Sequence, residues 1–145
     1  MRACSYTHNP EVLASIDQLC AINSVLQIDL SGNANAESVN GRIISTPGGL
    51  PDFASGAVSS EGGKSIIAMR SSFKNGAISN IVATLDDQSP VTLQGNQIDY
   101  LVTEYGVAKI SGVDNAARAQ ALIDVAHPDH RETLAKTWRN KALRR

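Results

Sequence analysis

The stretch Leu19–Leu30 constrains this chain more than any other, because it is apolar along most of its length and is broken mainly by Asn23, Ser24 and Gln27. A strand without a polar face suits a position covered on both sides, as in a parallel sheet. Further short segments at Val39–Ile44, Ser65–Ser71, Ile78–Leu85, Val91–Leu93 and Asp99–Val102 are strand candidates. The turn Lys74-Asn75-Gly76 between two of them carries Asn-Gly, the strongest short hairpin signal.

Helical patterns alternate with these strands. Asn9 is a suitable N-cap and Pro10 a suitable first-turn residue for a short helix through Ile16, with Val12, Leu13 and Ile16 on one face. Pro51-Asp52-Phe53-Ala54 starts a helix to about Ser60, which Gly62-Gly63 ends. From Asp114 the period becomes helical, with Ala116, Ala119, Leu122 and Ile123 on the buried side. The junction His127-Pro128-Asp129 then leads into a last helix to about Leu143, with Asp129 as its cap. This order predicts one α/β domain over residues 1–145, an open, mixed and mainly parallel sheet flanked by helices.

Composition narrows the function. Hydrophobic residues at 42% and charged residues at 19% describe a folded, soluble domain. A net charge of −1 and only 4% aromatic residues speak against nucleic-acid binding through a basic field or stacked bases. The basic run Arg139, Lys141, Arg144, Arg145 reads as a solvated helix end, where cations are favoured. No apolar run approaches the roughly 20 residues of a membrane span, and no hydrophobic signal core follows Met1. Cys4 and Cys20 lack zinc-site spacing, and as two thiols without a secretory signal they are expected to be reduced, in the cytoplasm.

The residues that could carry chemistry are few. Gly48-Gly49 lies where a loop hands over to a new helix, so its backbone N–H groups could meet a phosphate, a carboxylate or a developing oxyanion. The same two glycines would also serve as a plain connector. Asp52 could orient a ligand or simply complement the helix dipole. Glu104 follows a buried strand and is a possible nucleophile or base, with a capping or hydrogen-bonding role as the other reading. His8, His127 and His130 show no metal-ligand spacing, and no serine lies in a G-x-S-x-G context.

Five strings, in order, add a resemblance. Ala21-Ile22-Asn23-Ser24 with Ile28-Asp29-Leu30-Ser31-Gly32-Asn33-Ala34-Asn35-Ala36-Glu37 resembles the "aiNsaleVDLtGqvNae" segment of acetyl-CoA hydrolase/transferase enzymes. Pro47-Gly48-Gly49-Leu50-Pro51-Asp52-Phe53 resembles their "GxGGxxDF" loop, and Gly62–Ala68 their "GGkSiIAl". Val102–Ala108 resembles "VTEyGiAdL", and Ala126-His127-Pro128-Asp129 with Arg131-Glu132 resembles "AHPDfRe".

The resemblance implies the C-terminal domain of a two-domain CoA-transferase or acyl-CoA hydrolase. Such an enzyme acts on an acyl-CoA, such as acetyl-CoA, and a carboxylate, with coenzyme A as substrate and no cofactor or metal. It implies Gly48, Gly49, Asp52, Phe53 and Asn23 as substrate- or CoA-binding residues, the glycine loop holding CoA and the oxyanion. The family's nucleophilic glutamate, which forms a glutamyl-CoA intermediate, is expected upstream of the matched region; Glu104 matches a different motif. The chain alone is therefore expected to be inactive and to need an N-terminal domain in cis or in trans, with a homo-oligomer possible. Departures stand at Thr46, Gln94-Gly95, Lys109, Ser111 and His130. They suit a divergent member or a truncated gene fragment; a non-catalytic CoA-binding module is the other reading.

Overall fold

The computed structural model describes residues 1–143. Arg144 and Arg145, the end of the basic run, lie outside the described residues. Two short helices, α1 (Cys4–Thr7) and α2 (Pro10–Ala14), lead into the strands β1 (Cys20–Asn23), β2 (Gln27–Asp29) and β3 (Ala34–Asn35). A hairpin of β4 (Ser38–Val39) and β5 (Arg42–Ile43) precedes α3 (Leu50–Ser59) and β6 (Lys64–Ala68). A second hairpin, β7 (Ser72–Phe73) and β8 (Ile78–Ser79), runs into β9 (Ile81–Val82). A 3-10 turn at Gly95–Gln97 is followed by β10 (Tyr100–Thr103), β11 (Gly106–Lys109), α4 (Asn115–Asp124) and α5 (Pro128–Ala142).

The main sheet has the order β1-β6-β10-β11, with β1, β6 and β10 parallel and β11 antiparallel at one edge. This is the mixed, mainly parallel α/β sheet read from the sequence. Its inward face carries Ala21, Ile67, Leu101 and Ala108, all buried. Ala54 of α3 and Ala119 and Leu122 of α4 close over that face.

The other face is open. Ile22, Ile66 and Tyr100 lie side by side in register, as do Ala68, Val102 and Val107. Ile22 is 65% exposed and Val107 63%. The expectation of a strand covered on both sides is therefore corrected in two ways. Leu19–Leu30 divides into β1 and β2, which belong to different sheets, and one face of β1 is bare. The polar pair Asn23-Ser24 ends β1, and Asp29 turns its carboxylate back to the N–H groups of Ser31 and Asn33 at 2.9 and 3.0 Å.

β2 lies between β3, antiparallel, and β9, parallel. Asn35 is wholly buried here and organises the following turn. Its Oδ1 accepts the N–H groups of Glu37 and Ser38 at 2.9 and 3.0 Å, and its Nδ2 donates to the Ser38 carbonyl at 2.8 Å.

Arg118 of α4 fastens the two sheets, donating from Nε to the Ile110 carbonyl (2.8 Å) and from Nη1 to the Ser31 carbonyl (3.2 Å). The loops meet at the same seam. A methyl group on Gly95 would stand 2.8 Å from the Ser31 carbonyl oxygen, so only glycine permits this approach.

Other boundaries shift for local reasons. The run Val39–Ile44 is a hairpin instead of one strand, because Asn40 and Gly41 take positive φ of 51° and 72° and reverse the chain. The run Ile78–Leu85 stops at Val82 with a break at Asn80 between β8 and β9. Val91–Leu93 is no strand; Leu93 makes only an isolated bridge to Ala34. Strand β11 and helix α1 carry no sequence expectation of their own. Ala116 is exposed, not buried, while Ala119, Leu122 and Ile123 are buried as expected. His127, not Asp129, caps α5, its Nδ1 accepting the Asp129 N–H at 3.4 Å.

Candidate functional site

In an open α/β sheet, loops at the carboxyl ends of the parallel strands form the binding crevice. Here those ends bring together Asn23 from β1, the segment Met69–Ser71 after β6, and Glu104-Tyr105 after β10. Helix α3 follows β1 and hands the chain to the parallel β6, so its N-terminus faces this same edge.

The glycine loop forms that N-terminus. Gly48 has φ +57° and nothing within 4 Å of where a side chain would begin, so the backbone lies open to solvent. Gly49 is the N-cap of α3, and its carbonyl accepts the Phe53 N–H at 3.0 Å. Pro51 has no N–H, and the Leu50 N–H turns back to the Pro47 carbonyl at 3.3 Å. An anion at this helix start would thus be met chiefly by the backbone of Gly48 and Gly49.

Phe53 packs edge-on against His8, ring centroids 5.2 Å apart, and a methyl group on Gly49 would stand 2.5 Å from His8 Nε2. Asp52 lies half-buried in the first turn of α3. Gly48, Gly49, Asp52 and Phe53 are therefore contiguous, with His8 as a neighbour that no sequence motif signals. Asn23 closes β1 in register with Ile67 and is half-buried. It shares the carboxyl edge with the glycine loop.

Glu104 takes the hydrogen-bonding role. Its Oε2 accepts the Ser71 N–H and its Oε1 the Ser71 hydroxyl, both at 2.9 Å. The side chain as a whole is exposed while its carboxylate presses on buried Ser71. Burial of the carboxylate works to raise its pKa, but those hydrogen bonds and the nearby Arg70 charge outweigh it and hold the group below the ordinary carboxylate value.

A cleft of about 400 Å³ opens beside this pair, lined by Arg70, Lys74, Asn75, Glu104, Tyr105 and His127 among others. Tyr105 meets His127 edge-on at 5.7 Å, and the Arg131 guanidinium stands 5.4 Å from the Tyr105 ring centre. Sequence marks Lys74 only as a turn residue and Arg70 not at all; their charges carry no motif, and only the fold brings them to one cleft.

The departures from the family strings are built into the structure. The Ser111 hydroxyl donates to Asp99 at 2.6 Å, and His130 Nε2 donates to the Gly76 carbonyl at 2.7 Å. Gln94 and Gln97 cap their 3-10 turn reciprocally. Thr46 and Lys109 are exposed. Cys4 and Cys20 are free, exposed thiols. Among the described residues no helix is long and apolar enough to cross a membrane.

Comparison with known proteins agrees with this architecture. The acetyl-CoA hydrolase/transferase C-terminal domain family matches residues 1–138. The chain is 43% identical over 136 residues to the 4-hydroxybutyrate coenzyme A transferase of Clostridium kluyveri, covering 94% of this chain and 32% of that protein. It is 41% identical over 139 residues to the succinyl-CoA:cyclohexane-1-carboxylate CoA transferase of Geobacter metallireducens, covering 96% and 32%. RipA from Yersinia pestis superposes with a TM-score of 0.87 at 38% identity, over 95% of this chain and 31% of RipA. The chain thus spans about a third of the length of the curated relatives it matches.

Proposed function

Because the chain belongs to the acetyl-CoA hydrolase/transferase family through its C-terminal domain, we propose that it forms part of an enzyme that moves coenzyme A from a short-chain acyl-CoA, such as acetyl-CoA, to a carboxylate or to water. The observation that carries this reading is a family match from residue 1 to residue 138 in a chain spanning about a third of its relatives.

In this reaction a glutamate from outside these 145 residues attacks the acyl carbonyl and expels the CoA thiolate, leaving an acyl-glutamyl anhydride. The thiolate then attacks the glutamyl carbonyl, releasing the carboxylate and leaving glutamyl-CoA. A carboxylate is a weak nucleophile, so each tetrahedral oxyanion needs preorganised donors. The backbone of Gly48 and Gly49 is suited to that task, with Asn23, Asp52 and Phe53 holding CoA. The remainder of the enzyme, in cis or in trans, covers the bare sheet face around Ile22 and Val107. The free thiols of Cys4 and Cys20 suit a reducing, cytoplasmic setting.

The test is CoA transfer from acetyl-CoA to succinate or propionate. The chain alone should show no turnover, and turnover should appear when the N-terminal two thirds of a relative is supplied. Turnover by the purified chain alone would overturn the division of labour. Micromolar CoA binding by calorimetry that Gly49→Asp abolishes, without turnover in either preparation, would favour a non-catalytic CoA-binding module.

A further inference from the structure

The segment before β1 rests on helix α3 at two glycines, Gly49 and Gly56, which lie about two helical turns apart and so share one face. A methyl group on Gly56 would stand 2.5 Å from Leu13 Cβ, and one on Gly49 would stand 2.5 Å from His8 Nε2. Leu13 is a buried apolar residue of α2, and its contact is packing. His8 differs in kind, because it lays a half-buried polar ring on the glycine loop.

The backbone does not explain a glycine at position 49. Its φ of −85° and ψ of 2° are reached by ordinary residues in turns. The ring is what excludes a side chain: His8 Nε2 and Cδ2 would stand 2.5 and 2.9 Å from the added methyl, against 3.5 Å for the nearest Phe53 atom. Two helix ends fix where that ring stands. His8 caps the C-terminus of α1, its N–H donating to the Cys4 carbonyl at 2.9 Å, and the adjoining Asn9 caps the N-terminus of α2. Thr7 Oγ1 lies 3.0 Å from Nδ1, the ring's one hydrogen bond among the described residues, and Phe53 meets the ring edge-on.

The loop has little else to steady it. Residues 42–48 are all exposed, and from Thr46 to Gly49 the backbone bonds only to residues within Ser45–Phe53. We infer that His8 is the positioning residue of the glycine loop: its ring, oriented by Thr7 and seated on Gly49, holds the N–H groups of Gly48 and Gly49 in a fixed direction. The role rests on the proposed function for its purpose. Donors to a developing oxyanion gain their effect from not having to reorient as the charge forms. Leu13 holds the same segment two turns further along α3 but touches no such donor, so it supplies the comparison.

Nitrogen-15 relaxation on the chain itself separates the two contacts. In the wild type the Gly49 amide should have an order parameter of about 0.85, and His8→Ala should lower it towards about 0.6 while residues 54–58 of α3 stay rigid. Leu13→Val loosens the packing of α2 on α3 by one methylene and is mild enough to keep the pair docked; it should leave Gly49 ordered. Unchanged order at Gly49 in His8→Ala, or equal loosening in Leu13→Val, would overturn the inference. In the enzyme assembled with the N-terminal two thirds of a relative, His8→Ala should lower kcat about tenfold and leave KM for acetyl-CoA within about twofold, the pattern of a contribution made only in the transition state. A loop that loosens with kcat unchanged would equally refute the positioning role. No turnover in any preparation, wild type included, would sink the proposed reaction instead, and the relaxation comparison would still decide whether His8 holds the loop.

Discussion

Ser71 donates both its backbone N–H and its hydroxyl to the carboxylate of Glu104, at 2.9 Å each. The pair ties the loop after β6 to the loop after β10, where two parallel strands end. Removing Glu104 leaves two buried donors of Ser71 without a partner. Glu104→Ala should therefore destabilise the chain by about 1–3 kcal/mol in urea denaturation at neutral pH. The same pair makes stability depend on pH. The folded pKa lies below the unfolded one, so the contribution is complete above the ordinary carboxylate value, about 4.3, and is lost as pH falls through the folded value. The gap between wild type and Glu104→Ala should shrink in acid; a gap that stays constant down to pH 3 would refute the linkage.

Gly49 and His8 should be energetically coupled. A methyl group at Gly49 would reach 2.5 Å from His8 Nε2, and the imidazole can move only by giving up its edge contact with Phe53. Gly49→Ala should cost about 1 kcal/mol in the wild-type background and much less when combined with His8→Ala. Additive effects in this double-mutant cycle would show that the ring is not held against the helix start.

Asn35 has no exposed surface and makes three hydrogen bonds to the turn that begins β4. Asn35→Ala should destabilise by about 3 kcal/mol, because the groups it leaves behind have little access to water. Asn35→Asp should be no milder, since its second oxygen would face the Ser38 carbonyl instead of donating to it. Thermal melts of both variants check the ordering.

The bare sheet face should associate. In sedimentation velocity the wild-type chain is expected to show concentration-dependent mass, and Ile22→Lys with Val107→Glu should abolish it while leaving the melting temperature nearly unchanged. A strictly monomeric wild type at high concentration would mean that this face is tolerated in water as it stands.

Much of the architecture was legible because its signals are local. Asn9 caps α2 through its side chain as its type and the following Pro10 suggest, and the Asn75-Gly76 turn forms a hairpin, although its first strand is Ser72–Phe73 and not the expected Ser65–Ser71, which ends as β6 at Ala68. The same Asn-Gly signal at Asn40-Gly41 stands in plain view within Val39–Ile44, yet the flanking Val39, Ile43 and Ile44 read as one strand. Periodicity could not divide Leu19–Leu30 either, because it reports apolarity and not which sheet a residue joins. The open face of β1 was invisible for a related reason: an apolar residue awaiting a partner and one already covered look alike in sequence. At the candidate site, the contiguity of Gly48–Phe53 was readable, whereas Arg70, Lys74, His8 and Ser71 meet their neighbours only through tertiary folding.

The seam at Ser31, Gly95 and Arg118 has a mechanical consequence. It clamps the end of β2 in the small sheet to the end of β11 in the large one through one guanidinium and one glycine contact. Neither contact involves the carboxyl edge of the main sheet, so the two sheets are held together without using any residue of the candidate site.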